Sequence, residues 1–206
     1  TVDRIGVVGD YTPTTLPLSI QTVISKGLTT IASDGSASAS IATTWETTDN
    51  GKTYLFHLGG GFLWHRGKEL ESSEINYNIR DVKFTALNPT TLKVTLLEPF
   101  SPFATLVSKP IFKPGLVGVG PYKVSQIKLK GESVQFLRLT PIEKNTRVIL
   151  EYRFYKTEAL ALLAYQRGDV DRVEDLASRP EVASWPNTHV TERVMYNRVV
   201  ALYFNL

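Results

Sequence analysis

Apolar positions in this chain fall in short runs parted by Gly, Pro, Asn and Asp, a spacing that predicts many strands and few long helices. Residues 5–9 have the unbroken apolar run of a buried strand, and Asp10-Tyr11-Thr12-Pro13 breaks it into a loop. Residues 19–26 predict a short helix stopped by Gly27. Strands are predicted around 41–46, 53–58, 82–87, 91–97, 120–126 and 133–140. Asp49-Asn50-Gly51 and Asn88-Pro89 read as hairpin turns, and the Ser/Ala run at 36–40 as a turn entering a strand. Over residues 148–155, Ile149, Glu151 and Arg153 alternate with Leu150, Tyr152 and Phe154, the pattern of a strand with one wet face. Thr157 is placed to cap a helix over 158–167, with Leu160, Leu163 and Ala164 on one face and Gly168 as the stop. Residues 199–206 read as a further strand that needs burial on both faces. The sum is an α+β chain in which strands dominate.

Composition narrows the function classes without choosing one. With 42% hydrophobic and 21% charged residues, the chain can bury an ordinary core and shows neither disorder nor a membrane span. The net charge of +3 is spread thinly. Only Lys123, Lys128 and Lys130 cluster, at positions expected on a solvated strand face, so no nucleic-acid partner is expected. The absence of Cys fits an extracytoplasmic protein, although cytosolic proteins also lack Cys. Neither a signal peptide nor a lipid-attachment Cys is present, which a mature or partial chain would have lost.

Candidate chemistry is sparse. His57, His65 and His189 have no metal-ligand spacing, and strand-packing and turn roles fit them better. Gly59-Gly60-Gly61 lacks the Lys-Ser/Thr of a phosphate loop and reads as a bulge or turn. Gly118-x-Gly120 runs into Pro121, so a dinucleotide-binding turn fails. Asp169 and Asp171 are open to two readings, an acid pair or turn formers, and nothing nearby suggests a nucleophile. No Ser/His/Asp set stands at motif spacing. No catalytic residue, metal or cofactor is expected.

A series of separated elements carries a resemblance. Gly27-Leu28 is followed by Ala42-Thr43-Thr44-Trp45-Glu46, then by Gly51-Lys52-Thr53-Tyr54-Leu55-Phe56-His57-Leu58 and by Trp64-His65-Arg66-Gly67-Lys68. Further on come Ser72-Ser73-Glu74-Ile75, the stretch LKVTLLEPFSPF at 92–103, Val117-Gly118-Val119-Gly120-Pro121-Tyr122 and EALALLAYQRGDVD at 158–171. In this order they resemble the family 5 extracellular solute-binding proteins, which capture peptides, nickel complexes and related solutes for ABC importers. In that family the Ser-Ser-Glu-Ile position opens a capped helix, and Val119 stands here in place of the usual Thr. Residues 77–92 are shorter than the corresponding family stretch, which often carries ligand contacts.

The resemblance implies a class II periplasmic-binding-protein-like first lobe. Residues 1–35 and 118–206 would form a mixed sheet with helices, residues 36–117 an inserted antiparallel β-rich subdomain, and the second lobe and C-terminal return would be missing. It implies a substrate-binding component of an ABC importer that takes a peptide or related small solute in an interlobe cleft, closes by a hinge and delivers the solute to membrane permease subunits. A periplasmic or extracellular monomer is expected, tethered to the membrane if it is a lipoprotein. The loop after the first strand faces the cleft in the family, which makes Tyr11, Thr12, Pro13, Thr14, Thr15 and Leu16 cleft candidates; an ordinary surface loop is the competing reading. Gly118 and Tyr122 are further candidates whose other role is to pack the hinge side. Trp45, Phe56 and Trp64 are expected in the subdomain core. A scaffold or sensory module that keeps the fold without transport is the alternative function, and an enzyme would need an acid pair facing a cleft.

Overall fold

The structure is a computed structural model that describes residues 1–177 and 180–191. Residues Thr1–Glu174 form one compact unit and Asp175–Leu206 a second. The expected strand at 199–206 lies outside the described residues.

The first strand, β1 (Val2–Val8), is buried through Ile5 and Val7 and is followed by α1 (Leu18–Ile24). It lies inside a five-stranded sheet of order β11-β1-β10-β9-β8. The other members are β8 (Tyr122–Lys130), β9 (Ser133–Pro141), β10 (Ile149–Tyr155) and β11 (Arg172–Glu174). Strands β10 and β11 run parallel to β1, whereas β9 is antiparallel to both β10 and β8, so the sheet is mixed. Helix α1 covers one face: Ile20 and Ile24 pack with Ile5, Val7, Leu137, Leu139, Tyr152 and Phe154 in one core. The alternation expected along β10 holds, with Tyr152 and Phe154 turned inward.

The end of α1 differs from expectation. The helix stops at Ile24, and the cap residue Ser25 is extended, its hydroxyl donating to the Ile111 carbonyl. Gly27 serves a close approach of backbones: a Cβ there would lie 2.3 Å from the Ser108 carbonyl oxygen.

The middle of the chain builds a second, antiparallel sheet. Its members are β4 (Ala42–Thr48), β5 (Thr53–Leu58), β6 (Val82–Asn88) and β7 (Thr91–Leu96), in the order β4-β5-β7-β6. A small ribbon of β2 (Thr29–Ile31) and β3 (Ala37–Ala39) and the one-turn helix α2 (Phe103–Leu106) complete this region. The β4–β5 hairpin closes through Asp49, Asn50 and Gly51, all at positive φ (53°, 55° and 92°), a conformation that Asn, Asp and Gly tolerate best. One face of the sheet is apolar: Tyr54, Phe56, Leu92 and Val94 meet Phe103, with the Tyr54 and Phe103 rings 5.2 Å apart. Phe56 and Trp64 are in this core and Trp45 packs at its margin.

The capped helix expected at Ser72 is a single 3-10 turn, Ser72–Glu74. Its cap is Glu71, whose side chain and that of Glu74 satisfy each other's backbone N–H groups. It goes no further because Ile75 turns extended and enters the core, 2% exposed.

Helix α3 (Glu158–Gln166) is capped as expected: Leu160 N–H donates to Thr157 Oγ1 at 3.3 Å, and Gly168 follows at φ 74°. Its buried face matches the expected one only at Ala164. Ala161 and Ala164 are buried, whereas Leu160 and Leu163 are 49% and 46% exposed, because the helix packs along β1, β10 and β11 through its smallest side chains. The turn after α3 is clasped to β1. Arg4 Nη2 and Nε donate to Asp171 Oδ1 and Oδ2 at 2.7 and 3.1 Å, and Arg4 Nη1 donates to the Gly168 carbonyl at 2.9 Å. The two backbones also meet, with Asp171 N–H donating to the Arg4 carbonyl at 2.7 Å. Hydrogen bonds from Arg4 hold the Asp171 carboxyl below its usual range. Asp171 is therefore a structural clasp.

In the second unit the described residues include a 3-10 turn, Glu181–Ser184. Among the described residues no helix is long and apolar enough to cross a membrane.

Candidate functional site

At the carboxyl ends of β1 and β10, Val8 stands level with Tyr155, and the loop after β1 emerges beside the turn Lys156-Thr157. In open sheets with parallel strands this is the end at which ligands gather. The loop is shaped from its first residue. Gly9 has φ 133°, and its N–H donates to the Tyr155 carbonyl at 2.8 Å. A Cβ on Gly9 would fall 2.6 Å from the Tyr11 ring. That ring folds back over the strand end, edge-on to Phe154 at 5.9 Å, and its hydroxyl donates to the Val8 carbonyl at 3.2 Å. The Tyr11 carbonyl accepts from Val134 N–H at 2.7 Å, which ties the loop to β9.

The threonines then close a tight loop. Thr12 N–H donates to Thr15 Oγ1 at 2.9 Å, and Thr15 N–H donates to the Thr12 carbonyl at 3.1 Å. The Thr12 hydroxyl lies 3.0 Å from that of Thr14 and 3.1 Å from that of Thr15. Thr14 and Thr15 are exposed, Thr12 and Pro13 half-buried. A hydroxyl has one donor and two acceptor positions, so this trio keeps capacity for an outside partner while its geometry is fixed from within. Leu16 is 2% exposed and belongs to the α1 core, so it anchors the loop from below. Gln21 Nε2 fastens the same point by donating to the Leu16 carbonyl at 2.6 Å.

The structure does not bring Gly118 and Tyr122 to this loop. Strand register puts Val124 level with Leu139, and Leu139 level with Leu150, near the amino end of β10. Tyr122 thus starts β8 at the opposite end of the sheet, roughly 20 Å from the Tyr11 loop at 3.3 Å per residue. Gly118 is buried, and a Cβ on it would lie 2.2 Å from the Ile24 carbonyl oxygen. A Cβ on Gly120 would lie 2.6 Å from the Ile24 carbonyl carbon, and the Gly120 N–H donates to the Ile24 carbonyl at 2.9 Å. These glycines let the turn before β8 press onto the last turn of α1.

Sequence reasoning missed a polar hub beside that turn. The Glu74 carboxylate accepts from Trp64 Nε1 at 2.9 Å, Lys113 Nζ at 2.7 Å, Lys68 Nζ at 3.2 Å and Glu71 N–H at 3.2 Å. Lys113 Nζ also lies 4.4 Å from the centre of the Trp64 ring. Burial pushes the Glu74 carboxyl up, but the donors from Lys113, Trp64, Glu71 and Lys68 outweigh it and hold the group down to about 2. The signal available beforehand was a Trp and two Lys flanking one Glu, too scattered along the chain to be read as one cluster.

Among the described residues no group of His, Cys, Asp and Glu could hold a metal ion. His57 lies 3.6 Å from Glu46, whereas His65 faces the 118–120 turn. A shallow depression of about 570 Å³ lies on the outer face of β8–β10, lined by Ser125, Gln126, Arg138, Thr140 and Ile149. Its one cation, Arg138, is already paired with Glu151 at 3.3 Å, so the Tyr11 loop is the stronger candidate.

Solved ABC solute-binding proteins share this fold. NikZ from Campylobacter jejuni, solved with Ni(L-His), superposes with a TM-score of 0.66 at 20% identity over 82% of this chain and 42% of its own. MoaA from A. tumefaciens R10, solved with mannopinic acid, gives 0.67 at 20% identity over 83% of this chain and 44% of its own. DppA from Helicobacter pylori, solved with the peptide STSA, gives 0.64 at 15% identity over 82% of this chain and 46% of its own. The chain thus spans less than half the length of these proteins. No protein-family model matches it, and no curated protein matches it by sequence. The resemblance read from the sequence holds at the level of fold: the α+β chain has the mixed sheet of a class II periplasmic-binding-protein first lobe.

Proposed function

We propose that this chain is the first lobe of a substrate-binding component of an ABC importer, and that it contributes one wall of a solute cleft. The observation that carries the reading is the threonine loop at residues 12–15, rigid from within and open outward, at the carboxyl edge of a sheet shared with proteins solved with a nickel complex, an opine and a peptide. In this reading Thr12, Thr14 and Thr15 offer hydroxyl and peptide groups to a peptide or related small solute. Tyr11 and Leu16 hold the loop in place, and Gly118 and Tyr122 belong to the packing at the other end of the sheet. Residues 36–117 act as an inserted β-rich subdomain that supports the lobe. A second lobe closes over the solute by a hinge, and the closed form is delivered to permease subunits. The protein works as an extracytoplasmic monomer, by binding and not by catalysis.

The test is thermal unfolding of the complete gene product and of this 206-residue chain against short peptides, Ni(L-His) and opines. A ligand that binds the native state raises Tm by mass action. We expect one class to raise Tm in the complete product and to leave the 206-residue chain unmoved. A complete product that responds to none of the classes overturns the reading, and a shift equal in both overturns the need for a second lobe.

A further inference from the structure

We infer that His65 is a pH-sensitive latch: as a neutral imidazole it holds the turn at 118–120 against the end of α1, and protonation releases that turn. The hydrogen bonds assign its tautomer. Gly118 N–H donates to Nδ1 at 3.3 Å, so Nδ1 carries no proton, and Nε2–H donates to the Gly120 carbonyl at 3.1 Å. The His65 backbone N–H completes the clamp by donating to the Gly118 carbonyl at 3.0 Å. A single imidazole therefore grips both glycines, and its turn, 64–68, is itself pinned by Glu74 through Trp64 and Lys68. An imidazolium carries a proton on both nitrogens. Its Nδ1–H would point at the Gly118 N–H, turning an acceptor into a second donor inside a half-buried site.

The turn has no room to accommodate this by a small shift. Gly120 N–H is bonded to the Ile24 carbonyl, and Val119 N–H donates to the buried Ser25 hydroxyl at 3.3 Å. The charged groups around the ring offer no compensation. From β8, Lys123 repels the imidazolium; the end of α1 beside the 118–120 turn is Ile24 and Ser25, which carry no charge; and the Glu74 carboxylate is already held by Lys113, Trp64 and Lys68. Burial first, and Lys123 after it, push the imidazole below its ordinary value of 6.5, against the pull of the Gly120 carbonyl. A base whose folded value is lowered gives its full stability above 6.5 and loses it as pH falls from there through the folded value.

The test is amide hydrogen exchange on the full chain between about pH 7.5 and about pH 5, corrected for intrinsic exchange rates. We expect protection of the Gly118 and Gly120 amides to fall by up to about tenfold per pH unit below the ordinary imidazole value, with Phe56 in β5 unchanged. A His65→Asn variant, whose amide can accept and donate without titrating, should show flat protection over the same range. Imidazole titration by NMR should place His65 below the ordinary value of 6.5. Protection at 118–120 that does not change with pH in the wild-type chain overturns the latch, as does a pH response that survives in His65→Asn. Should the variant fail to fold, the wild-type exchange still decides.

Discussion

A few side chains fix the local geometry, and each yields a sharp expectation. Glu74 gathers four donors, and a carboxyl held at about 2 in place of 4.5 contributes on the order of 3 kcal/mol at neutral pH. The folded value is depressed, so this stability is full above 4.5 and is lost as pH falls through about 2. Glu74→Gln should therefore lower unfolding free energy by about 2–3 kcal/mol at pH 7, with the gap to wild type closing in strong acid. Urea denaturation across pH checks both parts. Gly118→Ala tests a different cause. Its methyl would meet the Ile24 backbone at 2.2 Å, and backbone yields less readily than a side chain, so a loss of about 2–4 kcal/mol is expected in the same assay. At Gly9 the obstacle is doubled, because φ is 133° and the Tyr11 ring fills the space. Gly9→Ala should unseat Tyr11 and loosen the threonine loop, seen as faster amide exchange at 12–15.

Strands were more legible in the sequence than helix faces, and the reason is physical. Alternation along β5, β7 and β10 reports burial directly, because successive side chains point to opposite faces. Turn chemistry also reads locally, as at Asp49-Asn50-Gly51, where three positive φ values demand those residue types. Helix α3 shows the limit. Its leucines promised the buried face, yet the sheet takes Ala161 and Ala164, since a close helix-to-sheet approach selects small side chains and only the partner surface reveals that. The Thr157 cap was readable from local pattern alone, and Thr157→Ala should cost about 1 kcal/mol by thermal unfolding. The candidate site divides along the same line. The loop at 11–16 follows from a strand that ends in a Gly and a run of threonines, whereas the separation of Gly118 and Tyr122 from it depends on the register of β8, β9 and β10. Glu74 and His65 escaped because their partners lie far along the chain, 39 residues away at Lys113 and 53 at Gly118.

At the scale of the molecule, the two sheets differ in what they offer. The antiparallel sheet β4-β5-β7-β6 has an aromatic core and a polar outer face with no convergent chemistry, which suits a support. The mixed sheet has parallel strands whose carboxyl ends meet at one edge, and the loop there is stiffened by its own hydroxyls. On the proposed function, solute is met at the carboxyl edge of β1 and not at the turn before β8. The most direct measurement is amide exchange of the complete gene product, with and without a saturating solute found by the thermal screen. New protection is expected to concentrate at residues 9–17. Protection confined to 118–122, or to the depression on the outer face of β8–β10, would contradict a site at the carboxyl edge of β1.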